Sequence, residues 1–193
     1  MITRESFSPE NIHEFIPEDE YTKVICGGSY YWFNGIEGFQ PHDYDYMVFS
    51  QSDQYAVSKL HYMFIDAWMI AYNANGTKQD FIDFVMDEAI NKKHSSAGLR
   101  VLIKPACDIF GITYEDIEPY MEALEQQIIE NTNIHTKYKW YQKIIRFIRE
   151  NRSLELTPEQ RQAAFEDYVA CKRNFIREKM EKCKYITLGK DNE

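Results

Sequence analysis

Residues 43–49, DYDYMVF, alternate in a way that suits a strand and no helix. Successive side chains of a strand leave opposite faces, so Asp43, Asp45, Met47 and Phe49 are expected on one face and Tyr44, Tyr46 and Val48 on the other. Upstream, residues 21–26 (YTKVIC) are a short apolar run that ends at Gly27-Gly28-Ser29 and read as a strand entering a tight turn. Residues 29–37 then read as a short helix broken by Gly35 and Gly38, and Pro41 stops any helical continuation. The first fifty residues are thus constrained to strand, glycine turn, helix, strand.

Residues 59–72 fit two strands joined near Asp66-Ala67 or one buried helix, and their aromatic and β-branched content favours strands. Asn75-Gly76 marks a turn, and Thr77 caps the next helix with Asp80 as its reciprocal acid. Phe81, Phe84, Val85 and Glu88 share one face of that helix. From there the chain turns helical. A segment ends at Gly111, Thr113 caps a helix to about Ile129, and residues 135–150 carry Trp140, Ile144, Phe147 and Ile148 on one stripe. Thr157-Pro158-Glu159-Gln160 starts a last helix with Phe165, Tyr168, Val169, Phe175 and Ile176 as its expected buried face. The expected class is α+β: a small mixed sheet with its helices at 1–92, then a helical bundle at 93–193.

Composition excludes several classes. No run of apolar residues is long enough for a membrane span, and the N-terminus lacks the apolar core of a secretory signal. Cys26, Cys107, Cys171 and Cys183 show no metal-ligand spacing and read as reduced thiols in a cytoplasmic protein. The net charge of −9 conceals a split: residues 1–130 hold 8 Lys+Arg against 22 Asp+Glu, whereas residues 131–184 hold 13 against 7. The acidic part repels a polyanion unless a cation intervenes. In the basic part, Lys137, Lys139, Lys143, Arg146 and Arg149 interleave with Tyr138, Trp140 and Tyr141, a pattern that serves a nucleic-acid surface or a helix's buried stripe.

Two features carry chemistry. Paired glycines let the backbone approach a polyphosphate, whose oxygens the N–H groups and the Ser29 hydroxyl can cradle. Carboxylates at i and i+2 on a strand lie on one face, about 7 Å apart, and repel each other unless a cation joins them. Magnesium is commonly held by one or two carboxylates, with water and substrate phosphates completing its shell.

The order Cys-Gly-Gly-Ser, short helix, Asp-Tyr-Asp-Tyr over residues 23–49 resembles the nucleotidyltransferase superfamily, the fold shared by DNA polymerase beta and the antibiotic nucleotidyltransferases. The spacing from Ser29 to Asp43 is on the long side for that family. Residues 138–173 are more loosely similar to the helical tail of small predicted nucleotidyltransferases of phage and bacterial type. The resemblance implies a palm-like α/β domain in which Gly27, Gly28 and Ser29 hold the β- and γ-phosphates of an NTP such as ATP. Asp43 and Asp45 would hold Mg²⁺ or Mn²⁺, and an acceptor hydroxyl on a protein, a small molecule or an RNA end would attack the α-phosphate. The family's active members add a third carboxylate from a neighbouring strand. Asp66, after LHYMFI, is the first candidate for it and Asp83 the second.

Other residues read more plainly: His42 as a turn residue, His61 as a core or strand-face residue, His94 and His135 as surface, and Arg100 and Lys104 as solvent-facing cations. Two rival expectations stand beside the enzyme. One is an inactive relative that binds nucleotide as a regulatory protein; the other is a helical interaction protein with ordinary turn and strand residues at these positions.

Overall fold

The computed structural model of the chain describes residues 1–73, 75–91, 103–134 and 139–188, with side chains throughout these ranges except at 131–134 and 184–188. The chain divides into two compact units, Met1–Leu124 and Glu125–Glu193. The 92/93 boundary read from the sequence lies outside the described residues, as do His94, Arg100, His135, Lys137 and Tyr138. Helical residues from 103 to 124 belong to the first unit.

The first unit is built on a mixed sheet of β1 (Thr22–Gly27), β2 (Tyr44–Ser52), β3 (Ala56–Tyr62) and β4 (Ile65–Asn73), in the order β1-β2-β4-β3. β1 and β2 are antiparallel, β2 and β4 parallel, and β3 and β4 antiparallel. The α+β class is therefore as expected. Residues 59–72 do form parts of two strands, but the turn between them is at Met63-Phe64, not at Asp66-Ala67.

β2 is central and covered on both faces, which explains its nearly continuous apolar run. On one face Tyr44, Tyr46 and Val48 join Ile65 and Ala67 in a core with Phe7 and Ile12 of the N-terminal segment. That segment is pinned by two long-range hydrogen bonds. The Tyr46 hydroxyl donates to the Phe7 carbonyl at 2.6 Å, and the Arg4 guanidinium donates to the Pro41 carbonyl at 2.8 Å. On the other face Phe49 meets Phe81 and Phe110, whose own rings stack 3.8 Å apart. These two residues come from α2 (Lys78–Ile90) and α3 (Ile103–Phe110), so helices cover the face opposite the N-terminal segment. Burying each such aromatic side chain stabilises the sheet–helix contact by about 1.5–3 kcal/mol.

Capping sets where the helices start. Thr77 and Asp80 form the expected reciprocal box: the Asp80 N–H donates to Thr77 Oγ1 at 3.1 Å, and the Thr77 N–H donates to Asp80 Oδ2 at 2.7 Å. Thr113 and Asp116 repeat it at the short α4 (Tyr114–Ile117). α5 (Met121–Ile134) follows.

The second unit contains α6 (Lys139–Asn151) and α7 (Pro158–Leu188), which pack together. Trp140 and Tyr168 meet edge to face at 5.6 Å, and Lys143 pairs with Asp167 at 3.2 Å. Trp140 and Tyr141 are buried, so of the two readings of the aromatic-basic run these residues take the core one. The buried face of α7 ends at Cys171, and Ile176 is exposed, contrary to expectation. Helical spacing says which residues share a face but not how far along the helix that face is covered. Among the described residues no helix is long and apolar enough to cross a membrane.

Candidate functional site

β1 delivers the glycine turn. It ends at Gly27, and α1 (Gly28–Phe33) begins at once and stops at Asn34, three residues before the end expected from the sequence. Gly28 has φ +59°, a left-handed conformation that costs an L-residue about 1–2 kcal/mol. The glycine is also required for space. A side-chain carbon at Gly28 would lie 2.0 Å from Asp45 Oδ2 and 2.7 Å from Asp45 Cγ. The Asp45 carboxylate is therefore packed directly against the turn.

Register explains this approach. Gly27 pairs with Asp45 across β1 and β2, Asp45 pairs with Asp66 across β2 and β4, and Asp66 pairs with His61 across β4 and β3. Residues directly paired on neighbouring strands share a face. Gly27, Asp45, Asp66 and His61 thus form one transverse row across all strands of the sheet. The row lies on the helix-covered face, because Asp45 alternates with Tyr44 and Tyr46 of the opposite core. Asp66 is the second residue of β4, beside Asp45, rather than the end of a preceding strand.

Asp43 departs from expectation. β2 begins at Tyr44, and Asp43 sits in the bend before it with its side chain 39% exposed. Pro41 and His42 immediately before it lack ladder pairing, so the alternation visible from residue 43 starts one residue before the hydrogen bonds do. The His42 imidazole is 4.0 Å from the Asp43 carboxylate and largely exposed.

Asp66 is held from two sides. Lys59 Nζ lies 3.0 Å from Oδ2, and His61 Nδ1 contacts Oδ1. Lys59 also lies over the Trp68 ring, 4.5 Å from its centroid. Asp83 is elsewhere, on α2, where it accepts from the Tyr120 hydroxyl and from Gln79 Nε2 at 2.8 Å. Lys104, expected at the surface, is buried and paired with Asp108, which also accepts from the Tyr31 hydroxyl. A helix face pressed against a core can take a lysine when a carboxylate four residues on neutralises it. Burial pushes the Cys26 thiol well above its ordinary range, and the Asp45 charge adds to the effect, so Cys26 is a poor nucleophile despite its place next to the turn.

Among the described residues, no three or more of His, Cys, Asp and Glu gather into a group that could hold a metal ion. The Asp45–Asp66 row with Asp43 beside it does not resemble a closed, all-protein metal cage. A magnesium ion that arrives on a triphosphate needs less, since one or two protein carboxylates suffice and phosphate and water supply the rest. Both oxygens of Asp66 are already engaged, by Lys59 and His61. His61, expected in the core or on a strand face, is exposed on β3, as is Lys59. An alternation count along 56–62 puts both on one face, but their meeting with Asp66 depends on the register of β3 against β4.

Comparison of the chain with protein-family models, with curated proteins and with solved structures returned no match.

Proposed function

We propose that the chain is a nucleotidyltransferase that moves a nucleotidyl group from an NTP to an acceptor hydroxyl. One observation carries this reading: Asp45 stands opposite Gly27 on the adjacent strand, with its carboxylate against the left-handed Gly28. In this reading the Gly27–Ser29 backbone and the Ser29 hydroxyl take the β- and γ-phosphates. Asp43 and Asp45 hold Mg²⁺ or Mn²⁺, which neutralises phosphate charge and stabilises the departing pyrophosphate when bound. Without a cation, the acidic first unit would repel the triphosphate. The four cysteines form no disulfide, which suits a cytoplasmic setting where NTPs and Mg²⁺ are abundant. The acceptor is a hydroxyl of a protein, a small molecule or an RNA end.

The test is a panel of NTPs with Mn²⁺, reading thermal stabilisation and transfer of label from the α-phosphate. An NTP at a hundred times its Kd stabilises by about 2.7 kcal/mol. Stabilisation and transfer that both vanish in Asp45→Ala support the reading; no effect of any NTP refutes it. A second reading is favoured by the Lys59 and His61 contacts, which already engage both oxygens of Asp66. It is a nucleotide-binding regulatory protein without turnover, and it predicts stabilisation without transfer.

A further inference from the structure

We propose that β3 pairs with β3 of a second copy of this chain, antiparallel across a two-fold axis at Leu60, so that the two sheets join edge to edge. The inference is independent of the nucleotidyl-transfer reading above.

The sheet has two edges, β1 and β3, and the chain treats them differently. The segment before β1 closes the first. The Val24 N–H donates to the Glu18 carboxylate at 2.8 Å, the Thr22 N–H to Asp19 Oδ1 at 2.7 Å, and the Asp19 N–H to the Thr22 carbonyl at 3.3 Å. β3 is left open. The turn at Met63-Phe64 has two residues, so Tyr62 exchanges hydrogen bonds with Ile65, and by alternation Leu60 does so with Ala67 and Ser58 with Met69. The Phe64 carbonyl accepts from the Tyr44 N–H at 2.9 Å on the β2 side, which agrees with that alternation. The N–H and C=O groups of Val57, Lys59 and His61 therefore point outward, and among the described residues nothing hydrogen-bonds to them. Such an edge is a template for another strand, and a mid-strand lysine is a common guard against it. Lys59 does not serve as one, because its Nζ is turned back over Trp68 and onto Asp66, 3.0 Å from Oδ2.

The same edge carries an apolar patch. Leu60 is 49% exposed, Tyr62 52% and Met63 67%. Leu60 and Tyr62 share the face of the N-terminal segment, where the Phe7 ring lies 6.4 Å from that of Tyr62 and 5.2 Å from that of the half-exposed Phe15. The exposed halves of Tyr62 and Phe15 amount to about 75–125 Å² each. Two such patches and two strand edges bring together roughly 1,000 Å², the size of a weak, reversible interface.

The strand's own order selects a second copy. With the axis at Leu60, that residue meets Leu60 of the other copy, Tyr62 meets Ser58, and Met63 meets Val57. Lys59 and His61 are both outward-facing, and each exchanges backbone hydrogen bonds with the other across the seam. At neutral pH the one charged side chain of β3 is Lys59, already balanced by Asp66, so the seam is free of like-charge repulsion despite the net charge of −9. Moving the axis to Lys59 sets two lysines directly opposite, which destabilises. A contact of β3 with β1 of another copy would continue into a filament, and Glu18 and Asp19 block it.

The experiment uses the full-length chain with Cys183→Ser, which removes the exposed thiol. Sedimentation velocity from about 1 to 300 µM is run on this protein, on L60K and on H61P, whose proline removes an outward N–H. The melting midpoint of each at the lowest concentration checks folding. We expect monomer–dimer exchange with a Kd of about 10–100 µM, weakened at least about tenfold in both variants. L60C occupies a non-hydrogen-bonded pair with Cα atoms about 4.5 Å apart, and it forms a disulfide-linked dimer under mild oxidation. S58C, on the same face, stands about 14 Å from its copy and links at least about tenfold more slowly. A chain that stays monomeric throughout leaves the edge to a strand of another protein and overturns the proposal, as does a dimer that L60K and H61P leave intact. Where those variants melt early, the cysteine pair decides: equal linking rates for L60C and S58C overturn the two-fold at Leu60.

Discussion

Gly28→Ala adds a single carbon at the place where β1 turns against Asp45, and the structure sets what that carbon meets. The backbone there has φ +59°, which costs alanine about 1–2 kcal/mol relative to glycine. The new carbon would also lie 2.0 Å from Asp45 Oδ2, 2.7 Å from Cγ and 2.9 Å from Cβ. No side chain tolerates such distances, so Asp45 must leave its rotamer at a further cost of about 0.5–1.5 kcal/mol. Gly35→Ala is the matched control: its φ is +84°, and nothing lies within 4 Å of the added carbon. It bears the conformational cost alone. The two variants should therefore differ by about 0.5–1.5 kcal/mol in urea unfolding, equivalent to roughly 1–6 °C in midpoint. In an Asp45→Ala background the 2.0 and 2.7 Å contacts no longer exist, and most of the difference should disappear as a double-mutant coupling. Equal losses for G28A and G35A in both backgrounds would refute the packing of Asp45 on the turn.

Asp43→Ala, which removes a carboxylate from the bend before β2, should weaken NTP stabilisation at fixed Mn²⁺ while leaving the midpoint without nucleotide nearly unchanged. A full NTP shift in this variant would remove Asp43 from the site. The Asp80 and Asp116 carboxyls lie below their ordinary range. For Asp80 the main cause is the Thr77 backbone N–H, and for Asp116 it is Lys78, followed by the Thr113 backbone. Their folded pKa is depressed, so each contributes stability in full above the unfolded value of about 3.9 and loses it as the pH falls through the folded value. Asp80→Asn and Asp116→Asn should each flatten the loss of stability in acid, and an unchanged acid limb would contradict the capping geometry. Burial pushes the Cys107 thiol up to about 12 and raises Cys26 and Cys171, whereas Cys183 is exposed. A thiol reagent at mildly alkaline pH should modify Cys183 first in the native protein, as read by mass spectrometry. Labelling of Cys107 at a comparable rate would show that its burial is wrong.

Much of the local structure was legible along the chain. The alternation at 44–49, the glycine turn at 27–28 and the Thr77-Asp80 box each depend on neighbours within a few residues, and each formed. The strand pair at 56–73 was legible as two strands, but its turn was not. Met63-Phe64 carries no turn-forming residue, and the nearest polar residue after it is Asp66. Lys104 failed for a related reason: a lysine on a helix prefers water unless tertiary packing brings the helix inward and supplies a counter-charge.

The amino-acid order alone marks the candidates, since the paired glycines at 27–28 and the closely spaced Asp43 and Asp45 are visible in sequence. Which of them meet was decided only by the sheet. The parallel pairing of β2 with β4 sets Asp66 beside Asp45, and the return of β3 at the edge adds His61 and Lys59. A shift of one residue in either ladder would send those side chains to the opposite face, and such a register is chosen by burial over the whole of both faces rather than by any local pattern.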